Sequence, residues 1–128
     1  MVITLKSIEK ARLAVRAALD KKAKNVLILE LKDLSVMSDY FVICSGESTT
    51  HVRSIVDNIE KEFRLKKIKP SGIEGHKLNQ WVLMDYSDVI VHVFEEETRA
   101  FYELEKLWLD APRIDIEKEK NLQGHGNY

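Results

Sequence analysis

An α/β domain with a mixed sheet of four or five strands and three main helices is what the sequence predicts, in the order α-β-β-α-(β)-β-β-α. Three observations carry that expectation. Segments 5–24 and 52–63 place apolar residues at helical spacing. Between and after them lie short apolar, β-branched runs, "VLILEL", "YFVIC", "WVLMDY" and "VIVHVF", of strand length. Gly, Pro, Ser and Asp punctuate the junctions.

In chain order, Leu5, Ile8, Ala11, Val15 and Leu19 form the stripe of the first helix. Lys21, Lys22 and Lys24 are expected to close its last turn, where cations complement the macrodipole. Val26–Leu31 is a strand, "KDLSVMSD" a loop with room for a short turn, and Tyr40–Cys44 a second strand, apolar throughout and so expected to be buried on both faces. The second helix carries Val52, Ile55, Val56, Ile59 and Phe63 on one side, with Arg53, Asp57, Glu60, Lys61 and Arg64 opposite. Ser48 or Thr49 is its N-cap. Pro70, Gly72 and Gly75 confine any strand in "KKIKPSGIEG" to a short one at an edge. Trp81–Tyr86 and Val89–Phe94 are strands meeting at Ser87-Asp88. The last helix opens on Glu95, Glu96 and Glu97, acids at the positive end of its dipole. It is expected to bury Phe101, Leu104, Leu107 and Trp108 and to stop before Pro112. A single domain over 1–114 follows, with 115–128 a polar, frayed tail.

The 128 residues suffice for one substantial core, and 45% hydrophobic with 32% charged residues is ordinary globular composition. No apolar run approaches the roughly 20 residues of a membrane span. The N-terminal stretch lacks the apolar core and small-residue cleavage site of a secretion signal. Cys44 is the sole cysteine, which fits a reducing cytoplasm. The net charge of −1 hides an asymmetry: residues 1–24 hold seven Lys/Arg against two acids, whereas 74–97 hold six acids against Lys77 alone. The dominant basic footprint of a direct nucleic-acid binder is missing. The acidic stretch suits a basic partner or a solvated rim.

A two-residue hairpin loop at Ser87-Asp88 would set Tyr86 opposite Val89, so that paired positions sum to 175. One face then collects Val82, Met84, Tyr86, Val89, Val91 and Val93, the surface a helix packs on. The other collects Trp81, Leu83, Asp85, Ile90, His92 and Phe94, an aromatic and apolar set with two polar groups that a dry core would have to pair. Three helices cover one face of a small sheet well and two poorly. Two readings therefore stand. In one, this second face is an open docking surface anchored by Trp81. In the other, Trp81 is covered by the first helix or the 66–78 loop, and Asp85 is bonded to His92.

Catalytic chemistry finds little footing. "CSGEST", at a strand-to-helix junction, offers Ser45, Gly46, Ser48 and Thr49 as a phosphate cradle and the Ser45–Thr50 turn as the basis of a nucleotide-binding or nucleotidyl-transferring alternative. A plain N-cap turn is the competing reading. Nucleotidyl transfer needs paired carboxylates on metal ions, and Asp85 and Asp88 straddle a turn that should point them apart. His51, His76, His92 and His125 are too dispersed for a local metal motif, although a spatial His92/Asp85 site stays open, and Cys44 reads as a small core residue. No catalytic set, metal or cofactor is expected.

Four motifs in order, "SDYFVICSGEST-HV" (38–52), "EG" (74–75), "WVLMDYSDVIVHVF" (81–94) and "R-FY-LE-LW-DAP" (99–112), resemble the Iojap family of bacterial ribosomal silencing factors over roughly residues 5–113. The resemblance implies a nucleotidyltransferase-like fold without enzymatic activity. It implies a cytoplasmic translational repressor that binds the large ribosomal subunit through ribosomal protein L-fourteen and sterically blocks joining with the small subunit; organelle relatives assist large-subunit assembly. Little direct RNA contact is implied. On the matching positions, Trp81 and Leu83 would be anchors, Asp85 and Asp88 would pair with Lys or Arg of the partner, and Glu74, Tyr86 and His92 would form the rim. One departure is that Tyr86-Ser87 stands where a Gly commonly precedes the second aspartate. A homodimer through the same sheet face is a further partner expectation.

Overall fold

Small side chains decide how the first helix sits. Ala11, Ala14, Ala17 and Ala18 are all buried along one side of α1 (Ser7–Asp20), which lets its backbone come close to α2 (Thr49–Leu65). Asn58 of α2 donates a side-chain hydrogen bond of 2.8 Å to the Ala17 carbonyl. The coordinates are a computed structural model that describes residues 5–31, 38–104, 106, 111–114 and 116. The α1 N-terminus is closed by Glu9, whose carboxylate accepts the Lys6 N–H at 2.9 Å. The helix ends at Asp20, one residue past the last apolar position of its stripe and short of the expected end at Lys24. Lys21 and Lys22 therefore lie in the turn beyond it, and Lys24 belongs to the next strand, so none of the three sits in the last turn.

The strands are β1 (Lys24–Glu30), β2 (Tyr40–Gly46), β3 (Gly72–Glu74), β4 (Trp81–Asp85), β5 (Val89–Glu95) and β6 (Arg113–Ile114), with a short α3 (Glu96–Tyr102) after β5. They form one mixed sheet in the order β3-β4-β5-β2-β1-β6. Among the described residues only β2 and β5 pair in parallel; the other neighbours are antiparallel. The sheet has six strands rather than four or five. The additional one is two residues long and has no alternating pattern of its own to reveal it.

Alternation along each strand sorts the side chains. Val26, Ile28, Tyr40, Val42, Cys44, Val82, Met84, Tyr86, Val89, Val91 and Val93 pack under α1 and α2 in the main core. Phe63 of α2 stacks on Tyr86 at 4.0 Å between ring centroids. Burying each large apolar side chain of this set contributes about 1.5–3 kcal/mol. On the opposite face Leu29, Leu31, Ile43 and Phe94 form a second, smaller core with Leu104 and Ala111.

The third helix departs furthest from expectation. It is seven residues long, ends with Glu103 in the left-handed region (φ 48°), and leaves Phe101 80% exposed rather than buried. Leu104 is buried as expected, whereas Leu107 and Trp108 lie outside the described residues. The same holds for the loop at 32–37, and for the proposed tail apart from Ile116, whose side chain joins the main core.

Candidate docking face

The hairpin register places the outer-face residues in rows. Tyr86 N–H donates to the Val89 carbonyl at 2.9 Å, so Ser87 and Asp88 are the two loop residues and paired positions sum to 175. Ser87 takes a positive φ of 72°, the conformation that a two-residue hairpin loop reserves for glycine at its first position. Its N–H donates to Asp85 Oδ1 at 2.8 Å. One row across the sheet is Gly72, Asp85, Ile90, Phe41; the next is Glu74, Leu83, His92, Ile43; the third is Trp81, Phe94, Ser45.

Helix α3 and the residues after it cover one half of this face. Leu104 and Ala111 lie over Leu29, Leu31, Ile43 and Phe94. The β3–β4 half is left open. There Trp81, Leu83 and Ile90 are half-buried, Asp85 is half-buried, and Glu74 at the edge is exposed. Tyr102, in contact with Trp81, and Phe101, in contact with Tyr102, add exposed aromatic surface beside it. The first helix and the 66–78 loop do not cover Trp81, because α1 packs on the opposite face and the short β3 extends the sheet edge instead.

Trp81 is held on three sides. Its ring stacks on Phe94 at 4.8 Å and meets Tyr102 of α3 at 5.0 Å. Its indole N–H donates to His92 Nδ1 at 3.1 Å. His92 is only 4% exposed and therefore lies beneath the tryptophan rather than at a rim. Burial alone lowers its pKa from 6.5 to about 4, so the ring is neutral near pH 7. The Asp85–His92 pair is absent: register sets Leu83 opposite His92 and Ile90 opposite Asp85.

The remaining expected site residues divide. Tyr86 is withdrawn from the rim: it is 2% exposed on the helix-covered face, and burial pushes its phenol pKa up. Asp88 forms an ion pair with Lys10 of α1 at 2.9 Å, and its carbonyl accepts the Asp39 N–H at 2.8 Å, so it fastens the hairpin turn to the core. The Asp88 carboxylate turns to Lys10 of α1, whereas one Asp85 oxygen accepts the Ser87 N–H. Both aspartates line a depression of about 410 Å³ at the turn, together with Asp39 and Ser38. Among the described residues, no group of three or more His, Cys, Asp or Glu side chains is arranged to hold a metal ion.

The Ser45–Thr50 turn has the geometry of an N-cap. Ser48 Oγ accepts the His51 N–H at 3.1 Å, and His51 Nδ1 in turn accepts the Glu47 N–H at 2.9 Å. A side chain on Gly46 would come within 2.9 Å of the Val52 nitrogen, which accounts for the glycine by close packing of strand on helix. Ser45 is buried, its hydroxyl accepting from Arg99 Nη1 at 2.8 Å. Ser45 lines a depression of about 340 Å³ with Asn25, Glu96 and Arg99, Gly46 is packed against α2, and the Ser48 hydroxyl is engaged by the cap. Cys44, fully buried, has its thiol pKa pushed up to about 12 by burial, which suits a packing residue rather than a nucleophile.

Two residues of the site escaped the sequence reading. Tyr102 meets the anchor in a tilted ring contact, and Gly75 (φ 85°) packs so closely that a Cβ there would lie 2.0 Å from the Trp81 carbonyl oxygen. Both stood within the quoted motifs "R-FY" and "EG". Arg99 of the same motif reaches across to the Asn25 carbonyl at 2.7 Å and ties α3 to the sheet.

The chain is similar to known proteins in both sequence and fold. The profile of a family described as "Ribosomal silencing factor during starvation" matches residues 4–127. The ribosomal silencing factor RsfS of Halalkalibacterium halodurans is 43% identical over 109 residues, which is 85% of this chain and 93% of that protein. A mouse protein named for mitochondrial assembly of the ribosomal large subunit is 33% identical over 69% of this chain and 40% of its own length. A crystal structure of a Chromobacterium violaceum protein superposes with a TM-score of 0.79 at 29% identity, covering 81% of this chain and 87% of that one. The fold, the ordered motifs and these matches together place the chain in the ribosomal silencing factor family.

Proposed function

We propose that this protein is a cytoplasmic translational repressor that docks on the large ribosomal subunit through ribosomal protein L-fourteen and, by its bulk, keeps the small subunit from joining. The observation that carries this reading is the half-open Trp81. An indole backed by Phe94, Tyr102 and His92, beside Leu83 and flanked by Asp85 and Glu74, has the makeup of an interface hot spot within a polar rim. Family membership supplies the ribosome, and the name of the mouse relative points to its large subunit.

The acidic flank suits a basic protein surface and disfavours bare RNA, so L-fourteen rather than ribosomal RNA is the expected main contact. Blocking by occupancy needs no turnover and no cofactor, so no enzymatic step is assigned. The test is a subunit-joining assay. Separated bacterial subunits are mixed at a magnesium concentration that favours joining, and increasing amounts of the protein are added before sucrose-gradient sedimentation. The joined peak should fall, and the protein should travel with the free large subunit. An unchanged joined peak with the protein at saturating concentration would reject the repressor reading.

A further inference from the structure

We propose that His92 is a positioning residue: by accepting the Trp81 indole N–H at Nδ1 it fixes the orientation of the anchor without itself touching the partner. The inference rests on the docking-face reading and deepens it. With Nδ1 as acceptor, the neutral ring must carry its proton on Nε2. That atom is buried and has no hydrogen-bond partner. A buried donor left unpaired is a standing penalty, and phenylalanine would fill the same space without it. The neighbours of the ring are aromatic: Phe41 meets it edge-on at 4.7 Å, and Phe94 lies at 6.3 Å. Elsewhere along β5 the buried positions are Val89, Val91, Val93 and Phe94. Packing alone therefore gives no reason for a histidine here.

What the histidine supplies is a mate for the single polar atom of Trp81. Stacking on Phe94 and the tilted contact with Tyr102 are apolar and do not by themselves distinguish one edge of the indole from the other. The hydrogen bond does distinguish them, because only the orientation that aims the N–H at His92 Nδ1 can form it. An anchor ordered before the encounter loses less freedom on binding.

The test combines spectroscopy, stability and binding. In ¹⁵N-labelled wild-type protein, a scalar coupling across the Trp81 Nε1–H···Nδ1 His92 bond is expected; the Trp81 indole resonance is the one lost in Trp81→Phe. His92→Phe should unfold at the same or a higher temperature, shift and broaden that resonance, and weaken binding to purified bacterial large subunits roughly 3- to 10-fold, the ordering cost of one side chain. His92→Asn, whose amide oxygen lies near the position of Nδ1, should recover the resonance and part of the affinity. Wild-type affinity in His92→Phe, an unmoved indole resonance, or a marked loss of thermal stability would each overturn the positioning role. Trp81→Ala separates the two levels. Weakened binding there beside unaffected binding by His92→Phe overturns only this inference, whereas unaffected binding by Trp81→Ala removes the docking face and the inference together.

Discussion

His92 ties the site to acid sensitivity. Its pKa is lowered by burial to about 4, so the folded protein resists a proton that the unfolded chain accepts below pH 6.5. Stability is therefore undiminished near neutrality, declines as pH falls from about 6.5 to about 4, and levels off below, by up to about 3 kcal/mol in total. Urea titrations near pH 7 and near pH 4 should reveal that loss, and His92→Phe should lack this component. The two aspartates of the turn separate in the same spirit. Asp85 accepts one backbone N–H and lies half-buried on the open face, whereas Asp88 is engaged by Lys10. Asp85→Asn should slow association with large subunits several-fold at low salt and leave stability within about 0.5 kcal/mol. Asp88→Asn should cost about 1 kcal/mol of stability, with little effect on association. Equal effects of both changes on association would contradict that division. Tyr86 illustrates how much of this was legible. Strand parity already put it with Val82 and Met84 on the helix-covered side, while the family resemblance put it at the rim; parity prevailed, because alternation leaves a strand residue no choice of face. The burial of His92 was not legible, since it depends on Trp81 folding over it.

At the level of elements, the hairpin was readable because a two-residue loop fixes register, and an entire ladder of pairings follows from that one length. Both long helices were readable from their stripes. Helix α3 was readable at its acidic start but not at its end: its seven residues are too few for periodicity to mark where it stops, and the left-handed Glu103 that terminates it has no sequence signature. Two backbone positions give element-scale predictions. Gly75→Ala combines a left-handed φ with a Cβ 2.0 Å from the Trp81 carbonyl, so it should cost at least about 3 kcal/mol or prevent β3 from pairing, seen as lost thermal stability and loss of amide protection in β3–β4. Ser87→Gly relieves a non-glycine residue of the same conformation and should raise stability by roughly 0.5–1 kcal/mol in denaturant titrations, with the hairpin register intact.

For the whole molecule, the decisive feature is unequal cover of the sheet. Helices α1 and α2 cover one face, while among the described residues α3, Leu104 and Ala111 cover Leu29, Leu31, Ile43 and Phe94 on the other and leave Trp81, Leu83 and Ile90 half-buried. Counting helices foretold an incompletely covered second face, and composition foretold the acidic surroundings; which half stays open required the path of the chain after β5. The open half presents Trp81, Leu83 and Asp85 on a rigid antiparallel ladder, so the protein offers a preformed surface rather than a loop that must order on contact. The most direct measurement is the affinity of purified large ribosomal subunits for the wild-type protein and for Trp81→Ala, with circular dichroism and thermal unfolding establishing that the variant is folded. A weakening of about 30-fold or more, equivalent to about 2 kcal/mol, is predicted. A folded Trp81→Ala protein that binds as tightly as wild type would contradict the account.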